Sequence, residues 1–298
     1  MAAVGTVAVA ATALASPTAS ADAIDAPESN AVPPPDYSIQ RGRIHHSVMG
    51  WCFQPLPVEE LINACHKMGM TAMEGIDPKY YPRLRELGMK PSLVSSHGFA
   101  AGPTSRDNHA EVVASLRKGI DLAVEFGAPG VITFTGMRVK GISDEQMITN
   151  CLDAWQEVIG YAEQHGVNLC LEHLNSRDDT HPMKGHPGYF GDHLDFCAEL
   201  VRRMDSPRMK LLFDIYHVQI MDGDLIRRLR QHIDIIGHIH TAGVPGRGEL
   251  DDRQEINYPA VMKSLISLGY EGFTAHEFIP TWPDPLAALR HAVSTCDV

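Results

Sequence analysis

The sequence predicts a (β/α)8 barrel formed by a single domain, and three observations support this fold class. From residue 44 onward, short β-prone segments alternate with longer segments of helical periodicity. The length from His45 to Val298 matches the roughly 250 residues typical of such a barrel. Glycines also stand just after predicted helices and just before strands, where a left-handed residue ends a helix: Gly69, Gly88, Gly127, Gly166 and Gly269.

The predicted elements alternate along the chain. Strands are expected near 45–50, 71–76, 89–95, 129–134, 167–173, 209–215, 235–240 and 272–277. Helical periodicity falls at 57–68, 110–126, 144–165, 191–204, 224–232 and 258–268. A doubly wound open sheet is the main alternative, but it requires a glycine-rich phosphate loop after its first strand. The segment from Gly50 to Pro55 reads GWCFQP and is not such a loop, so we favour the barrel.

The composition argues against several classes of protein. Lys and Arg number 25 against 37 Asp and Glu, a net charge of −12, whereas a nucleic-acid partner requires a basic face. Nowhere do 18 apolar residues follow one another, so we predict no membrane span. The six cysteines include no CxxC pair and are too sparse for a disulfide scaffold, which indicates buried free thiols.

The first forty residues are expected to lie outside the barrel, which we place at residues 41–298. Residues 2–15 form an Ala-rich apolar run, and Ala19-Ser20-Ala21 is a small-residue triplet of the kind that signal peptidase cleaves. These features predict an export signal, removed after about residue 21, and then a Pro-rich linker up to residue 40. The charged segment that normally opens such a signal is missing. A disordered leader on a cytoplasmic protein is therefore the alternative to export into the periplasm.

Four consecutive predicted strands end in acidic residues or histidines. In a (β/α)8 barrel the chemistry lies at the carboxyl ends of the strands and in the loops that follow them. Neighbouring strands are about 4.8 Å apart, so side chains at one height can converge. Alternation along the fifth strand places Cys170 and Glu172 on one face and Leu169 and Leu171 on the other. Height and face together select Glu172, Asp214, His240 and Glu277.

The selected residues form a set of three carboxylates and one imidazole. Such a mostly oxygen set suits Mn²⁺ or Mg²⁺ better than a structural zinc. Each residue alone has a simpler explanation, because a Glu at a strand end is often a capping residue and a lone His often belongs to the core. Since four positions agree in height and face, we predict a divalent-metal site.

Long motifs surround these residues. They are LCLEHLNSR (169–177), GHPGYFGDH (185–193), LLFDIYHVQIMDGDL (211–225), GHIHTAGVPGRGELDDRQEINYPA (237–260) and HEFIPTWPDPLAALR (276–290). They resemble the hydroxypyruvate isomerase family, which belongs to the xylose isomerase-like barrels, and the resemblance extends over nearly everything from residue 45 onward. It implies a divalent metal held by the same four residues that strand geometry selects, with Glu172 and Glu277 acting as the acid and base.

The resemblance implies a reaction and two further residues. The reaction is the interconversion of hydroxypyruvate and tartronate semialdehyde, in which a proton moves between adjacent carbons through an enediol. Glu172 and Glu277 reach the mouth from strands 5 and 8, so one can remove the proton and the other can return it. His217 and Arg247 are implied as substrate contacts. Arg247 would clamp a carboxylate with two hydrogen bonds, and its alternative is a loop ion pair with Glu249 or Asp251.

Other candidate site residues rest on position alone. His97 follows the third strand and is expected to contact either substrate or a helix, and Trp51 after the first strand is a candidate for the pocket wall or the core. The loop from about 174 to 190 is long and is expected to act as a lid carrying Lys184 and His186. Asn175 and Arg177 are either pocket residues or part of the lid structure.

Alternative functions use the same barrel. A ketose 3-epimerase, or another sugar isomerase or epimerase, needs the same proton transfer next to a carbonyl. A DNA-repair endonuclease needs more metal ligands and a basic face, which the net charge of −12 opposes. A non-catalytic binding protein would not need two glutamates at the mouth. We therefore expect a keto-acid or sugar substrate, and the sequence leaves open whether the chain forms a homo-oligomer.

Overall fold

The computed structural model describes residues 32–298, which form a ring of parallel strands surrounded by helices. The strands are β1 (His45–Val48), β2 (Ala72–Met73), β3 (Lys90–Pro91), β4 (Gly130–Phe134), β5 (Asn168–Glu172), β6 (Met209–Asp214), β7 (Ile236–Thr241) and β8 (Phe273–His276). The helices are α1 (Val58–Lys67), α2 (Tyr81–Glu86), α3 (His109–Phe126), α4 (Asp144–His165), α5 (Leu194–Arg203), α6 (Ile215–Met221), α7 (Leu225–His232), α8 (Tyr258–Ser267) and α9 (Pro285–Cys296).

The strands close into a barrel. Six of them pair in the order β1-β8-β7-β6-β5-β4, and β2 pairs with β3. Two parallel bridges join these sheets, one between Met49 and Glu74 and one between Val94 and Val131. All strand pairs are parallel, so their carboxyl ends meet at one mouth. This arrangement confirms the predicted (β/α)8 barrel.

Each strand lies where the sequence predicts it, whereas three helices were not predicted, namely α2, α6 and α9. Helix α2 is short, and α9 begins at Pro285 directly after Asp284. The Asp284 carboxylate accepts hydrogen bonds from the backbone N–H groups of Leu286 and Ala287, at 2.9 and 3.1 Å. An N-cap aspartate followed by proline is a sequence signal for a helix start, and it marks α9 in retrospect.

The two faces of each strand bury different clusters. Inside the barrel, Cys170 of β5 packs with Leu93, Ile132 and Leu212. Leu169 and Leu171 instead belong to the larger cluster that includes the helices. This confirms the predicted alternation along β5 and places Glu172, two residues after Cys170, on the inner face at the mouth. All six cysteines are buried and free, as predicted.

Helix α3 approaches β4 closely at a glycine. A Cβ atom on Gly119 would lie 2.7 Å from a methyl group of Val131, which is shorter than real Cβ contacts allow. The absence of a side chain at Gly119 therefore lets the helix pack directly on the strand. Val131 itself is fully buried.

The end of the predicted linker is fastened to the end of the chain. The Asp297 carboxylate accepts hydrogen bonds from the backbone N–H groups of Gln40, Arg41 and Gly42. The backbone N–H of Ile39 donates to the Met68 carbonyl at 2.9 Å. The boundary at residues 40 and 41 stays a prediction, and the predicted export signal lies outside the described residues. Within residues 32–298, no helix has the length and apolar character needed to cross a membrane.

Replacing Val131 by Ala should lower the free energy of unfolding by about 2 kcal/mol, because it removes buried methyl groups and leaves a cavity beside Gly119. Val124→Ala is the matched control, since Val124 lies on α3 with 53% of its surface exposed. The control should change the free energy by less than about 0.5 kcal/mol. Urea unfolding of both variants measures the difference, and equal effects would contradict the packing described for β4.

Candidate active site

The structure brings the four predicted metal ligands together at the mouth of the barrel. Glu172 and Asp214 are the last residues of β5 and β6, His240 lies near the end of β7, and Glu277 directly follows β8. Each offers one ligand atom, and these four atoms lie within 4.8 Å of one another. All four side chains are buried. The cluster is thus the product of strand ends at a common height.

The carboxylates are arranged around one nitrogen of the His240 ring. Its Nδ1 lies 2.7 Å from Glu277 Oε2, 3.3 Å from Glu172 Oε1 and 4.0 Å from Asp214 Oδ2. Asp214 also begins α6, because its Oδ1 accepts from the backbone N–H groups of Tyr216 and His217 at 2.7 and 3.2 Å. This cap fixes the Asp214 carboxylate so that Oδ2 faces the cluster.

The cluster fits a divalent cation. Glu277 Oε2 lies 2.7 Å from both His240 Nδ1 and an Arg247 nitrogen, yet neither contact has hydrogen-bond geometry. A buried carboxylate oxygen without a well-formed hydrogen bond is costly unless a cation neutralises it. Three carboxylates and an imidazole are the donor set that Mn²⁺ and Mg²⁺ accept. Glu172, Asp214, His240 and Glu277 are therefore the residues that would hold the ion.

The three acidic groups of the cluster differ in pKa because their charged neighbours differ. Burial raises the pKa of Glu172 to about 7 and that of Asp214 to about 6, and the Glu277 charge adds to both shifts. Burial opposes the charge on Glu277 as well, but Arg247 and His240 lower the pKa of Glu277 to about 2. Glu277 is thus ionised, while Glu172 can carry a proton near neutral pH. These are the states that a base and an acid require.

Sequence analysis missed one buried residue beneath the cluster. Glu74, directly after β2, has its Oε1 2.7 Å from His240 Nε2 and its Oε2 2.8 Å from His238 Nε2. Although burial opposes the charge on Glu74, His238 and His240 lower its pKa well below the usual value. A signal was present, because Glu74 is an acidic residue within the second predicted strand, at 71–76. It was not included because only the last four strands were compared.

Arg247 lies in the site rather than in a surface ion pair. Its guanidinium contacts Glu277 at 2.7 Å and Asp214 at 3.8 Å and lies over the ring of Trp51. The alternative partner Glu249 instead accepts hydrogen bonds from the backbone N–H groups of Thr281 and Trp282. Arg247 is only 3% exposed, and its Nε has no hydrogen-bond partner among the described residues. It therefore retains a free donor beside the cluster.

A cavity of about 260 Å³ opens next to these residues. Glu172, Glu277 and Arg247 line one side, and the remaining wall is largely apolar and aromatic, with Trp51, Phe99, Phe134, Leu174 and Met183. The cavity adjoins the cluster that fits a metal, which makes it the candidate substrate pocket. Trp51 is thus placed in the pocket wall, one of the two positions expected for it.

His97 also lines this cavity, but its ring nitrogens are already engaged. Nδ1 lies 3.2 Å from the Gly98 carbonyl, so it donates, and Nε2 accepts from the Thr133 hydroxyl at 2.9 Å. The Thr133 oxygen in turn accepts from Trp155 Nε1 at 3.0 Å. Burial lowers the pKa of His97 to about 4, so the ring is neutral. Any contact between His97 and substrate would be through the ring rather than through a nitrogen.

His217 directs a free donor at the cluster. Its Nδ1 accepts hydrogen bonds from the backbone N–H of Asn175, at 3.0 Å, and from the Asn175 side-chain amide, at 2.7 Å. The ring proton is therefore on Nε2, which lies 3.6 Å from Asp214 Oδ2 and has no hydrogen-bond partner among residues 32–298. Burial lowers the pKa of His217 well below its usual value, so the ring is neutral.

The segment after β5 covers part of the pocket. Met183 and His186 line the cavity, and the Met183 carbonyl accepts a hydrogen bond from Arg247. The Lys184 carbonyl accepts from the Asn175 side chain at 2.7 Å, while the Lys184 side chain is not in the cavity wall. Arg177 is exposed and donates to the Ile220 carbonyl, away from the site. Of the candidate lid residues, only His186 therefore faces the pocket.

Comparison with known proteins identifies relatives of the chain. A profile of the family described as xylose isomerase-like TIM barrel matches residues 62–294. Over 259 residues the chain is 27% identical to 2-oxo-tetronate isomerase of Pectobacterium atrosepticum, covering 80% of this chain and 96% of that protein. It is 27% identical over 185 residues to hydroxypyruvate isomerase of Escherichia coli K12, covering 57% of this chain and 67% of that protein. Two further curated relatives, from Homo sapiens and Danio rerio, are matched over about 60% of their length.

Solved structures share the fold. AP endonuclease, family 2, from Brucella melitensis has a TM-score of 0.70 at 23% identity, covering 83% of this chain and 96% of that chain. The 3-keto-D-glucoside 4-epimerase from Escherichia coli has a TM-score of 0.71 at 17% identity, covering 84% of this chain and 98% of that chain. The IOLI protein, with a bound zinc atom, has a TM-score of 0.62 at 16% identity, covering 85% of this chain and 95% of that chain. At these identities the likeness shows the barrel alone.

Glu172→Gln should stabilise the metal-free protein relative to the unmodified protein, and by more as the pH rises from about 5 to about 8. Burial raises the pKa of Glu172 to about 7, so between its unfolded value and pH 7 the folded state holds a proton that the unfolded chain has released. The free energy of unfolding of the unmodified protein therefore falls as the pH rises from the unfolded pKa of Glu172 to about 7. Glutamine is neutral at every pH, so the variant lacks this pH-dependent fall in the free energy of unfolding.

Urea unfolding with a chelator at pH 5, 6, 7 and 8 measures this difference. Glu199→Gln is the matched control, because Glu199 lies on α5 with 67% of its side chain exposed. The control should stay within about 0.5 kcal/mol of the unmodified protein at each pH. A Glu172→Gln difference that is constant over the whole range would contradict a raised pKa.

Proposed function

Because the chain belongs to the xylose isomerase-like TIM barrel family, we propose that it is a divalent-metal-dependent isomerase that interconverts hydroxypyruvate and tartronate semialdehyde. One observation carries the proposal. Glu172 and Glu277 lie together with Asp214 and His240 at the mouth of the barrel, and both glutamates line the adjoining cavity. The relatives named as isomerases of hydroxypyruvate and 2-oxo-tetronate support the reaction class and the substrate class.

The four clustered side chains would hold the ion. When bound, a divalent metal supplies Lewis acidity that stabilises negative charge developing on the substrate carbonyl and neighbouring hydroxyl oxygens. Mn²⁺ or Mg²⁺ suits the three oxygen ligands. The protein's own contribution is to fix those ligands, as Asp214 shows by capping α6 with one oxygen and turning the other to the site.

The two glutamates perform the proton transfer. In hydroxypyruvate the proton leaves C3 and a proton is delivered to C2, while the hydroxyl proton moves from O3 to O2. Glu277 is suited to remove the first proton, since Arg247 and His240 lower its pKa to about 2 and keep it ionised. Glu172 is suited to deliver the second, because it lines the same cavity and offers a carboxyl group close to Glu277. In the reverse direction the roles exchange.

The pocket favours a small acid over a neutral sugar. Arg247 is buried beside Glu277, and its Nε–H is unpaired within the described part of the chain, so a substrate carboxylate can accept a charge-assisted hydrogen bond from it. The Nε2–H of His217, which has no hydrogen-bond partner among residues 32–298, lies beside Asp214 of the cluster. Apart from Ser95, Ser96, His97 and His186, the remaining walls are apolar or aromatic and offer few partners for the many hydroxyl groups of a ketohexose. A longer 2-oxo acid would keep the same carboxylate contact.

We also propose that the protein is exported, and this proposal rests only on the sequence of its first forty residues. The Ala-rich run and the Ala19-Ser20-Ala21 triplet support a periplasmic location. A periplasmic enzyme would meet substrates that enter from outside the cell, so the substrate panel for any assay should include hydroxypyruvate, four-carbon 2-oxo acids and ketohexoses.

Glu172→Gln and Glu277→Gln should each lower kcat by about 10²- to 10⁴-fold, because each keeps the side-chain volume and an oxygen ligand but removes a proton-transfer group. Turnover of hydroxypyruvate and exchange of its C3 protons with D₂O should be measured at saturating Mn²⁺, with the metal content of each protein determined. Glu199→Gln on the exposed face of α5 is the matched control and should retain full activity.

Two results would contradict parts of the proposal. A fully metal-loaded Glu277→Gln protein that exchanges substrate protons at the unmodified rate would exclude the two-glutamate mechanism. Turnover of ketohexoses with no turnover of any 2-oxo acid would exclude the proposed substrate and assign a ketose epimerase or isomerase instead.

A further inference from the structure

We infer that Glu74 is a positioning residue that holds the His240 ring with Nδ1 directed at the metal ligands. The inference rests on the proposed metal site. Glu74 directly follows β2, is 1% exposed, and lies on the far side of the His240 ring from Glu277. Its Oε1 accepts a hydrogen bond of 2.7 Å from His240 Nε2, while Nδ1 faces the three carboxylates of the cluster. The two nitrogens of one ring thus have separate partners.

The Glu74 carboxylate is itself held in place. Its second oxygen, Oε2, accepts a hydrogen bond from the Ser92 hydroxyl and lies 2.8 Å from His238 Nε2. Ser92 is bonded in turn to Ser47 at 2.6 Å. These partners come from β1, from the segment after β3 and from β7, and all are buried. The barrel wall therefore fixes both the position and the plane of the carboxylate.

A second metal ion at Glu74, His238 and His240 is the competing explanation, since these residues also offer three potential ligands. The contact of 2.7 Å between Glu74 Oε1 and His240 Nε2 has the geometry of a hydrogen bond, which opposes a second ion, whereas His238 Nε2 lies 2.8 Å from Oε2 without such a bond. A second ion would also require His240 to bind metal through both nitrogens at once. Finally, Glu172 and Glu277 line the cavity, whereas Glu74 and His238 do not. The deeper group is thus a support for His240.

This arrangement has a direct consequence for metal affinity. When Nε2 donates to a carboxylate, the Nδ1 lone pair is free for the ion, the ring orientation is fixed and the ligand becomes more basic. Loss of such a supporting partner typically weakens metal binding by about 10- to 100-fold. Glu74 has no surface in the substrate pocket, so its effect on the reaction passes through His240 and the ion.

The Mn²⁺ dissociation constant of the full chain tests the inference. It is measured for the unmodified protein, Glu74→Gln and Ser92→Ala from the electron paramagnetic resonance signal of free Mn²⁺, together with the thermal midpoint of each metal-free protein. We expect Glu74→Gln to bind Mn²⁺ about 10- to 100-fold more weakly. Ser92→Ala is the matched control, since it removes a partner of Oε2 and leaves the bond between Oε1 and His240. Because Oε1 still accepts from His240 and Oε2 still contacts His238, it should lose much less affinity for Mn²⁺ than Glu74→Gln does.

Equal affinity of Glu74→Gln and the unmodified protein would overturn the inference while leaving the proposed metal site intact. Equal losses in Glu74→Gln and Ser92→Ala would show a general structural role and overturn it as well. An unmodified protein that binds no Mn²⁺ would overturn both the proposed function and this inference.

A second measurement does not depend on the folding of any variant. Nitrogen-15 histidine spectra of the Mg²⁺-loaded unmodified protein should show the His240 proton on Nε2, hydrogen-bonded to Glu74. A proton on Nδ1 would overturn the inference.

Discussion

Three buried carboxylates converge on one imidazole nitrogen, and the rest of the site depends on the resulting need for positive charge. Glu172, Asp214 and Glu277 all face His240 Nδ1, and burial raises the pKa of Glu172 and Asp214 toward neutrality. The Arg247 guanidinium meets part of the need by contacting Glu277. A divalent cation held by all four side chains, as proposed, would meet it more fully. The proposed cofactor would then also stabilise the site.

The barrel holds these buried charges in position through contacts from several different strands and helices. Asp214 is fixed by the first turn of α6, His240 by Glu74 from the second strand, and Glu277 by the strand that closes the ring. Each ligand is thus oriented by a different element, and no single loop carries the geometry. The loop after β5 covers part of the pocket, because the Met183 carbonyl contacts Arg247 and both Met183 and His186 line the cavity.

The fold and the four clustered residues were predictable because both follow from local rules. Period-two alternation set the face of Glu172, and the parallel barrel set the common height of strand ends. Arg247 could not be assigned a partner from sequence, because its contact with Glu277 joins a loop residue at a positive φ of 57° to a residue 30 positions later. Glu74 was missed for a related reason, because its bond to His240 joins two residues that lie 166 positions apart in the sequence.

Anomalous diffraction from a crystal grown with Mn²⁺ tests the central claim most directly. Data collected above and below the manganese absorption edge locate the ion without reference to any assay. The account predicts one strong peak per chain, coordinated by oxygens of Glu172, Asp214 and Glu277 and by Nδ1 of His240, with Glu74 hydrogen-bonded to the opposite nitrogen. A peak coordinated by Glu74 and His238, or no peak at the mouth of the barrel, would contradict it.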